Sequence, residues 1–130
     1  MIKTHHDLEV YQRAYHQWLS VYRIASQFNE SQQLLGRRLV NASYQILVCL
    51  VEALSLRQFD RDLKEYLRQA LGFCEEAKIC LNTAHDLDFI TSDQHSALDS
   101  EFLIISKQLY SLRKNWGAKK KAATTEDKAK

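Results

Sequence analysis

Proline is absent from this chain of 130 residues, and glycine occurs only three times. Both residues interrupt helices, proline because it lacks the backbone donor and glycine because of its conformational freedom. Their scarcity is typical of long, uninterrupted helices. The apolar content of 45% is sufficient for a hydrophobic core in a single domain.

No apolar run is long enough to span a membrane. A transmembrane helix needs about 20 mostly apolar residues, whereas the longest purely apolar run is Ile46–Val51, and Asn41, Gln45 and Glu52 interrupt its surroundings. The opening segment, MIKTHHDLEVYQ, also lacks the apolar stretch of a signal peptide. We therefore expect a cytoplasmic protein with no membrane partner.

The motifs of several enzyme and metalloprotein classes are missing. A di-iron site in a helical bundle needs paired Glu-x-x-His motifs, and no glutamate is followed by histidine at the third position. There is no glycine-rich phosphate loop, and the three cysteines have no zinc-binding spacing. Cys49, Cys74 and His85 could form a nucleophilic site in principle, but buried, reduced structural thiols are the better interpretation. We predict no catalytic residue, no cofactor and no metal site.

Four segments repeat apolar residues at alternating steps of three and four, the pattern of a helix with one buried face. They cover approximately residues 7–28, 34–56, 60–84 and 91–116. The connections between them are short, so consecutive helices should be antiparallel neighbours. The sequence therefore predicts an all-α fold, an up-down-up-down four-helix bundle, in residues 1–117.

The same repeat predicts which residues face the core. In the second helix, which has the widest apolar surface, the core face extends from Leu35 to Leu56. In the third helix it extends from Leu63 to Ala84, and in the fourth it comprises Leu98, Phe102, Ile105, Leu109, Leu112 and Trp116. In the first helix the predicted core face is Leu8, Tyr11, Tyr15, Trp18, Tyr22 and Ala25.

Charge is distributed unevenly along the chain. Residues 119–130 contain five lysines and two acidic residues, a net charge of +3, whereas the other 118 residues contain 13 basic and 14 acidic ones, a net charge of −1. Because residues 118–130 contain no large apolar side chain, we expect a disordered basic tail. The nearly neutral body is a weak electrostatic match for nucleic acid, so any contact with RNA must come from local patches.

One such patch lies at the start of the third helix, where four basic residues fall on one side. The candidate residues for nucleic-acid or partner binding are Arg57, Arg61, Lys64 and Arg68 there, and Arg113, Lys114, Lys119, Lys120 and Lys121 near the chain end. Basic residues clustered in this way can bind phosphates. The alternative is a solvated helix face, because Arg61 can pair with Glu65 one turn away.

A second apolar stripe on the third helix, Tyr66, Phe73 and Cys80, repeats every seven residues beside the predicted core face. A four-helix core needs a stripe of roughly 100° on each helix. The additional apolar surface here and on the second helix favours an interface between identical subunits. The alternative is a thicker internal core.

Several short segments resemble one group of proteins. DLEVYQRA, Asp7–Ala14, resembles the start of the first helix in the small four-helix-bundle proteins encoded by intervening sequences of bacterial large-subunit ribosomal RNA. ALGFCEE, Ala70–Glu76, resembles the alanine, leucine, glycine and glutamate pattern of that family's third helix. LLGRRL, Leu34–Leu39, and Trp116 before a basic tail are similar to the related accessory variability proteins of diversity-generating retroelements.

The second helix has no proline, whereas the intervening-sequence proteins usually have one there, and this difference favours the retroelement branch. The resemblance then implies a non-catalytic, ring-like homopentamer that binds a reverse transcriptase and RNA and supports mutagenic retrohoming. The alternatives are an intervening-sequence protein of unclear role and a helical scaffold or adaptor that binds a helical partner.

Overall fold

Four long helices make up the fold. The computed structural model describes the backbone of residues 8–129 and the side chains of residues 8–116. The helices are α1 (Glu9–Ala25), α2 (Gln33–Ser55), α3 (Asp60–Asp86) and α4 (Ser92–Ala129), with a short 3₁₀ helix at Glu30–Gln32 before α2. No strand occurs in this part of the chain, which confirms the predicted all-α fold.

Each helix packs against the next one along the chain, and α1 closes the bundle by packing against α4. Residues 56–59 connect α2 to α3, and residues 87–91 connect α3 to α4. Connections this short require the joined helices to be antiparallel neighbours. The predicted up-down-up-down four-helix bundle is therefore confirmed.

Helix α2 contributes to the core on two sides because it packs against both α1 and α3. Leu39, Ala42, Ile46 and Leu50 are all buried there. By length and composition alone, residues 30–55 could also cross a membrane. The apolar face of α2 is nevertheless covered by its neighbours inside the bundle, as expected of a core helix.

The predicted core faces of α3 and α4 are confirmed. Every residue predicted for the core in α3, from Leu63 to Ala84, is buried. In α4 the residues from Leu98 to Leu109 on the predicted face are buried, and Leu112 and Trp116 pack against the core while partly exposed. Although α3 has a second, shorter apolar stripe, the longer repeat in each of these helices determines its orientation.

The predicted core face of α1 is confirmed only in part, because Leu8 is buried and Tyr11 and Trp18 pack against the core while partly exposed. The residues that this helix buries are Val10, Ala14, Gln17 and Val21. Tyr15 and Tyr22, which were expected in the core, are exposed. Both sets follow the same three-and-four repeat, displaced by one residue and therefore by about 100° around the helix. The smaller side chains let α1 approach the bundle closely, and the aromatic side chains lie on the adjacent face, beside α2.

Polar contacts also hold α1 against α4. The buried side chain of Gln17 donates from Nε2 to the carbonyl oxygen of Leu98 at 2.8 Å. Arg13 Nη1 donates to the two carboxylate oxygens of Glu101 at 2.8 and 3.1 Å. Burial of the glutamine is tolerated because its amide N–H has a protein partner in place of water.

At one end of the bundle, Phe28 joins several chain segments. A Cβ atom added to Gly36 would lie only 2.9 Å from Phe28 Cδ2, so this glycine lets the ring lie directly on α2. The same ring packs edge-on against Phe89, with centroids 5.9 Å apart.

Helix α4 begins with a capping box, in which the Thr91 and Gln94 side chains each accept a hydrogen bond from the other residue's backbone N–H.

The first seven residues of the predicted bundle domain, 1–117, lie outside the described part of the chain, and so do the side chains beyond residue 116. The backbone of residues 118–129 continues α4, whereas the sequence predicts a disordered basic tail there. Binding by Lys119, Lys120 and Lys121 stays a prediction.

Candidate interaction surfaces

A continuous aromatic surface lies between α1 and α2. We define the aromatic groove by Tyr11, Tyr15, Trp18 and Tyr22 from α1 and by Tyr44 and Val51 from α2. The half of the groove beside Tyr22, near the C-terminal end of α1, has a cavity volume of about 560 Å³. The half beside Tyr11 has a cavity volume of about 480 Å³. At 1.5 Å per residue, the aromatic stripe of α1 is roughly 16 Å long, a length that can contact several turns of another helix.

The aromatic side chains of the groove contact one another. The Trp18 ring lies 5.4 Å from Tyr44, 6.0 Å from Tyr15 and 6.2 Å from Tyr22, measured between centroids. Tyr22 and Tyr44 nevertheless remain 55% and 46% exposed. Trp18 Nε1 is buried and has no hydrogen-bond partner among the described residues. Tyrosine and tryptophan are enriched at protein interfaces, so this composition is typical of a contact surface.

Few of the residues that line the groove are charged. Arg37 and Asn41 line the half nearer the end of α1, and Glu52 lines the other half. Arg37 Nη2 donates to Gln33 Oε1 at 3.4 Å, a long hydrogen bond within α2. An apolar groove with one cation at one end and one anion at the other suits a protein partner better than a polyanion.

The predicted subunit interface on α3 is largely used inside the bundle. Tyr66 and Phe73 are partly buried and pack against the core, and Cys80 is buried. This placement agrees with the alternative of a thicker internal core. Contact between subunits at these three residues stays a prediction, but the exposed aromatic surface lies on α1 and α2 instead.

Of the predicted basic residues, those from Arg57 to Arg68 lie where α3 begins, and Arg113 of α4 contacts this segment. Arg113 of α4 donates its Nε–H to the Lys64 carbonyl oxygen at 3.1 Å, which joins the basic residues of the two helices. The exposed members of this group are Arg57, Arg61, Arg68 and Lys114. We define the basic stripe as Arg57, Arg61, Lys64 and Arg68.

One cation of the basic stripe already has an anionic partner. Arg68 Nη2 and Nε donate to the two carboxylate oxygens of Glu65 at 2.6 and 3.0 Å. These hydrogen bonds from the guanidinium lower the pKa of Glu65 to about 2, so the carboxylate stays charged near neutral pH. Glu65 therefore pairs with Arg68, and not with Arg61 as expected. Because Arg68 is already paired, its charge is less available to bind a phosphate than an unpaired charge would be.

The cysteines have the properties of structural thiols. Cys49, Cys74 and Cys80 are free and buried. Burial raises the pKa of the Cys49 thiol to about 11 and that of Cys74 to about 12, so both are protonated near pH 7.

The His85 ring stacks on the His95 ring, with their centroids 4.6 Å apart. Within the described residues, no three or more metal-binding side chains form a cluster.

Comparison with known proteins identifies the family. The sequence model of the 23S rRNA-intervening sequence proteins matches residues 6–111 of the chain. The chain belongs to this family. Membership in the 23S rRNA-intervening sequence protein family agrees with the resemblance carried by Asp7–Ala14 and Ala70–Glu76. The match gives no support to the retroelement branch, which the missing proline had favoured.

A solved structure of a protein from the S23 ribosomal protein family has the same fold. It is the crystal structure of a protein of unknown function from the S23 ribosomal protein family of Bacteroides thetaiotaomicron, with a TM-score of 0.75 and 19% sequence identity. The alignment covers 81% of the chain described here and 95% of the Bacteroides chain. At this identity the similarity establishes the fold alone. No curated protein matches the sequence.

Sequence reasoning missed the aromatic groove because it assigned the aromatic residues of α1 to the core. A signal was present in Val10, Ala14 and Val21, which follow the same repeat one residue earlier. A helix with two adjacent apolar faces can bury one inside its own bundle and leave the other for a partner.

Proposed function

We propose that this member of the 23S rRNA-intervening sequence protein family is a non-catalytic helical bundle that assembles with itself and binds RNA. Family membership supports the intervening-sequence alternative better than the role of a retroelement accessory protein with a reverse transcriptase partner. Self-assembly into a ring, with five subunits as the number implied by the resemblance, is part of the proposal.

The observation that carries self-assembly is the aromatic groove. Tyr22 and Tyr44 remain about half exposed although they lie in a continuous apolar surface, and Trp18 has an indole N–H within it that is unpaired among the described residues. Contiguous apolar patches on soluble proteins mark interaction sites. A copy of the same chain is the partner that is always present, and most soluble oligomers are made of identical subunits.

RNA binding is proposed through the basic stripe. A single subunit offers few unpaired cations, because Arg68 is bound to Glu65 and the body as a whole is nearly neutral. Symmetric assembly would repeat the stripe once per subunit and so form an extended basic surface from a modest local one.

Light scattering tests the self-assembly. The parent protein should have a mass several times that of the 15.2 kDa chain. Tyr44→Arg places a charge in the aromatic groove and should shift the mass towards that of a monomer, because burying a guanidinium in an apolar interface costs free energy. Tyr110→Arg is the matched control, since Tyr110 is 59% exposed on α4, outside the groove.

Both variants alter exposed side chains, so thermal unfolding followed by circular dichroism should show an intact helical fold. A parent protein that is monomeric at micromolar concentration would contradict self-assembly and favour a helical adaptor for another protein. Equal masses for Tyr44→Arg and the parent oligomer would exclude the aromatic groove as the interface.

A further inference from the structure

A second exposed feature lies on α3, on the side that faces away from the core. Ile79 is 67% exposed, and Gly72, one heptad earlier, is exposed on the same face. Glu75 lies between them and is also exposed. We define Gly72, Glu75 and Ile79 as the α3 ridge. Residues seven apart lie nearly in line along a helix, about 10 Å from each other.

The packing inside the chain does not explain Gly72. A Cβ atom added there would meet nothing within 4 Å, whereas one added at Gly36 would meet the Phe28 ring. Glycine destabilises the interior of a helix relative to alanine. A glycine that faces open space lets another chain approach the backbone of α3 more closely than any other residue would.

The aromatic groove complements the ridge in shape. Near the end of α1 the groove forms a hole walled by Trp18 and Tyr22, with room for an aliphatic side chain such as Ile79. The Tyr44 ring beside this hole is about half exposed, and Gly72 has no side chain that would keep it from the α3 backbone of another copy. Side chains of one helix that fill the spaces of another are the usual basis of helix packing.

The two surfaces also complement each other in charge. Arg37 lines the hole, and its only hydrogen bond among the described residues is the long one to Gln33. Glu75 on the ridge is exposed, and it forms no ion pair within residues 8–116. Unlike charges at the edge of an interface orient the partners and increase the rate of association.

We infer that the α3 ridge of one copy docks into the aromatic groove of the next, with Ile79 beside Trp18 and Glu75 facing Arg37. This inference rests on the proposed self-assembly and identifies the second half of its interface. Because ridge and groove are different surfaces, the contact is heterologous, and its repetition closes a ring when the rotation between subunits allows. An interface of groove against groove would give only a symmetric dimer.

Cross-linking between two variant chains tests this arrangement. One chain carries Asn41→Cys, an exposed position that lines the hole, and the other carries Ile79→Cys. A short bismaleimide at neutral pH should join the two chains after their subunits are mixed, while the buried native thiols react slowly. Peptide mass spectrometry should identify a link between positions 41 and 79 in at least about tenfold excess over links within either single-variant sample.

The control replaces the Ile79→Cys chain with a Tyr110→Cys chain, because Tyr110 is an exposed position on α4. If Ile79→Cys chains join to each other as readily as to Asn41→Cys chains, the contact is isologous and the inference is wrong. An oligomeric parent that gives no link between positions 41 and 79 also overturns it and leaves self-assembly intact. A monomeric parent contradicts the proposed function as well.

Substitutions on the ridge provide a second test that does not depend on thiol chemistry. Gly72→Gln improves helix propensity, so it should not destabilise the monomer, and it should weaken self-association by about tenfold. Ser100→Gln, at another exposed position, is the control and should leave association unchanged. If Gly72→Gln assembles like the parent, the close approach at Gly72 does not exist.

Charge exchange tests the pair at the edge of the interface. Arg37→Glu alone should weaken self-association, and the combination of Arg37→Glu with Glu75→Arg in one chain should restore it, because each copy then presents the reversed pair. Failure of the combined variant to associate better than Arg37→Glu would show that these two residues do not face each other.

Discussion

Gly36 lets the Phe28 ring lie on α2, and this contact depends on the absence of a single methyl group. In Gly36→Ala the new Cβ atom would lie 2.9 Å from Phe28 Cδ2, closer than two carbon atoms can pack. The ring would have to move, and its edge-on contact with Phe89 would change with it. We expect the free energy of unfolding to fall by about 1–3 kcal/mol, measured by denaturant titration.

Gly72→Ala is the matched control for this substitution. Since nothing lies within 4 Å of the added Cβ atom, the replacement should raise the free energy of unfolding of the monomer by about 0.5–1 kcal/mol. If Gly36→Ala stabilised the protein to the same extent, the ring would be free to move, and the tight contact would have no energetic importance.

The buried thiols make a prediction about pH. Burial raises the pKa of Cys49 from 9.0 to about 11, so at pH 8 the folded chain should hold about 100-fold less Cys49 thiolate than the unfolded chain. Alkylation of Cys49 should therefore be slower by about that factor in the folded protein, as measured by peptide mass spectrometry with and without denaturant.

The same shift has a consequence for stability. Because the unfolded state loses its thiol protons first, these groups should lower the free energy of unfolding as pH rises from about 9 to about 11. Cys49→Ala removes one of these titrations and should flatten that part of the pH profile. Equal alkylation rates of Cys49 in the folded and unfolded chains would show that the site opens readily to solvent.

At the scale of the helix, α1 presents two neighbouring apolar faces with different roles. Val21 is fully buried against the bundle, whereas Tyr22 is exposed in the aromatic groove. Val21→Ala should reduce the free energy of unfolding by about 1–3 kcal/mol. Tyr22→Ala should change it by less than about 0.5 kcal/mol but weaken self-association. If Tyr22→Ala reduced the free energy of unfolding more than Val21→Ala, the aromatic residues would be the core face of α1, as the aromatic repeat predicts.

The helices show how far the sequence determines this fold. The orientations of α3 and α4 follow from it because each has one dominant apolar repeat. The orientation of α1 does not, because its two repeats have the same period, and the choice depends on how closely the helix can approach its neighbours. The groove depends on the distance between α1 and α2, and the choice of Arg68 over Arg61 as the partner of Glu65 depends on side-chain geometry. No pattern along the chain contains that information.

At the scale of the whole molecule, the proposed RNA contact must rely on the basic stripe, because the net charge of the body is only −1. Replacing Arg61, Lys64 and Arg68 with glutamine should weaken binding of a hairpin RNA and reduce its salt dependence. Since Arg68 is already bound to Glu65, about two phosphate contacts should be lost, which corresponds to a decrease of about 1.5 in the slope of log affinity against log salt.

The control for this titration is Arg23→Gln, which removes an exposed arginine near the end of α1. It should leave both the affinity and the slope nearly unchanged, and light scattering should show the same oligomer for all samples. If the triple variant binds like the parent, the basic stripe is a solvated face. If the parent protein binds no RNA, that half of the proposed function is wrong and self-assembly stands on its own evidence.

The small buried residues of α1 also determine which part of the bundle opens first. Val10, Ala14 and Val21 bury less apolar area than the leucines of α2 and α3, and part of the contact with α4 consists of side-chain hydrogen bonds. The free energy of releasing α1 should therefore be lower than that of global unfolding, so its amide hydrogens should exchange with solvent first. A neighbouring copy seated in the aromatic groove would hold α1 in place. The protection of these amides should then increase with protein concentration, which makes hydrogen exchange of α1 a measure of assembly.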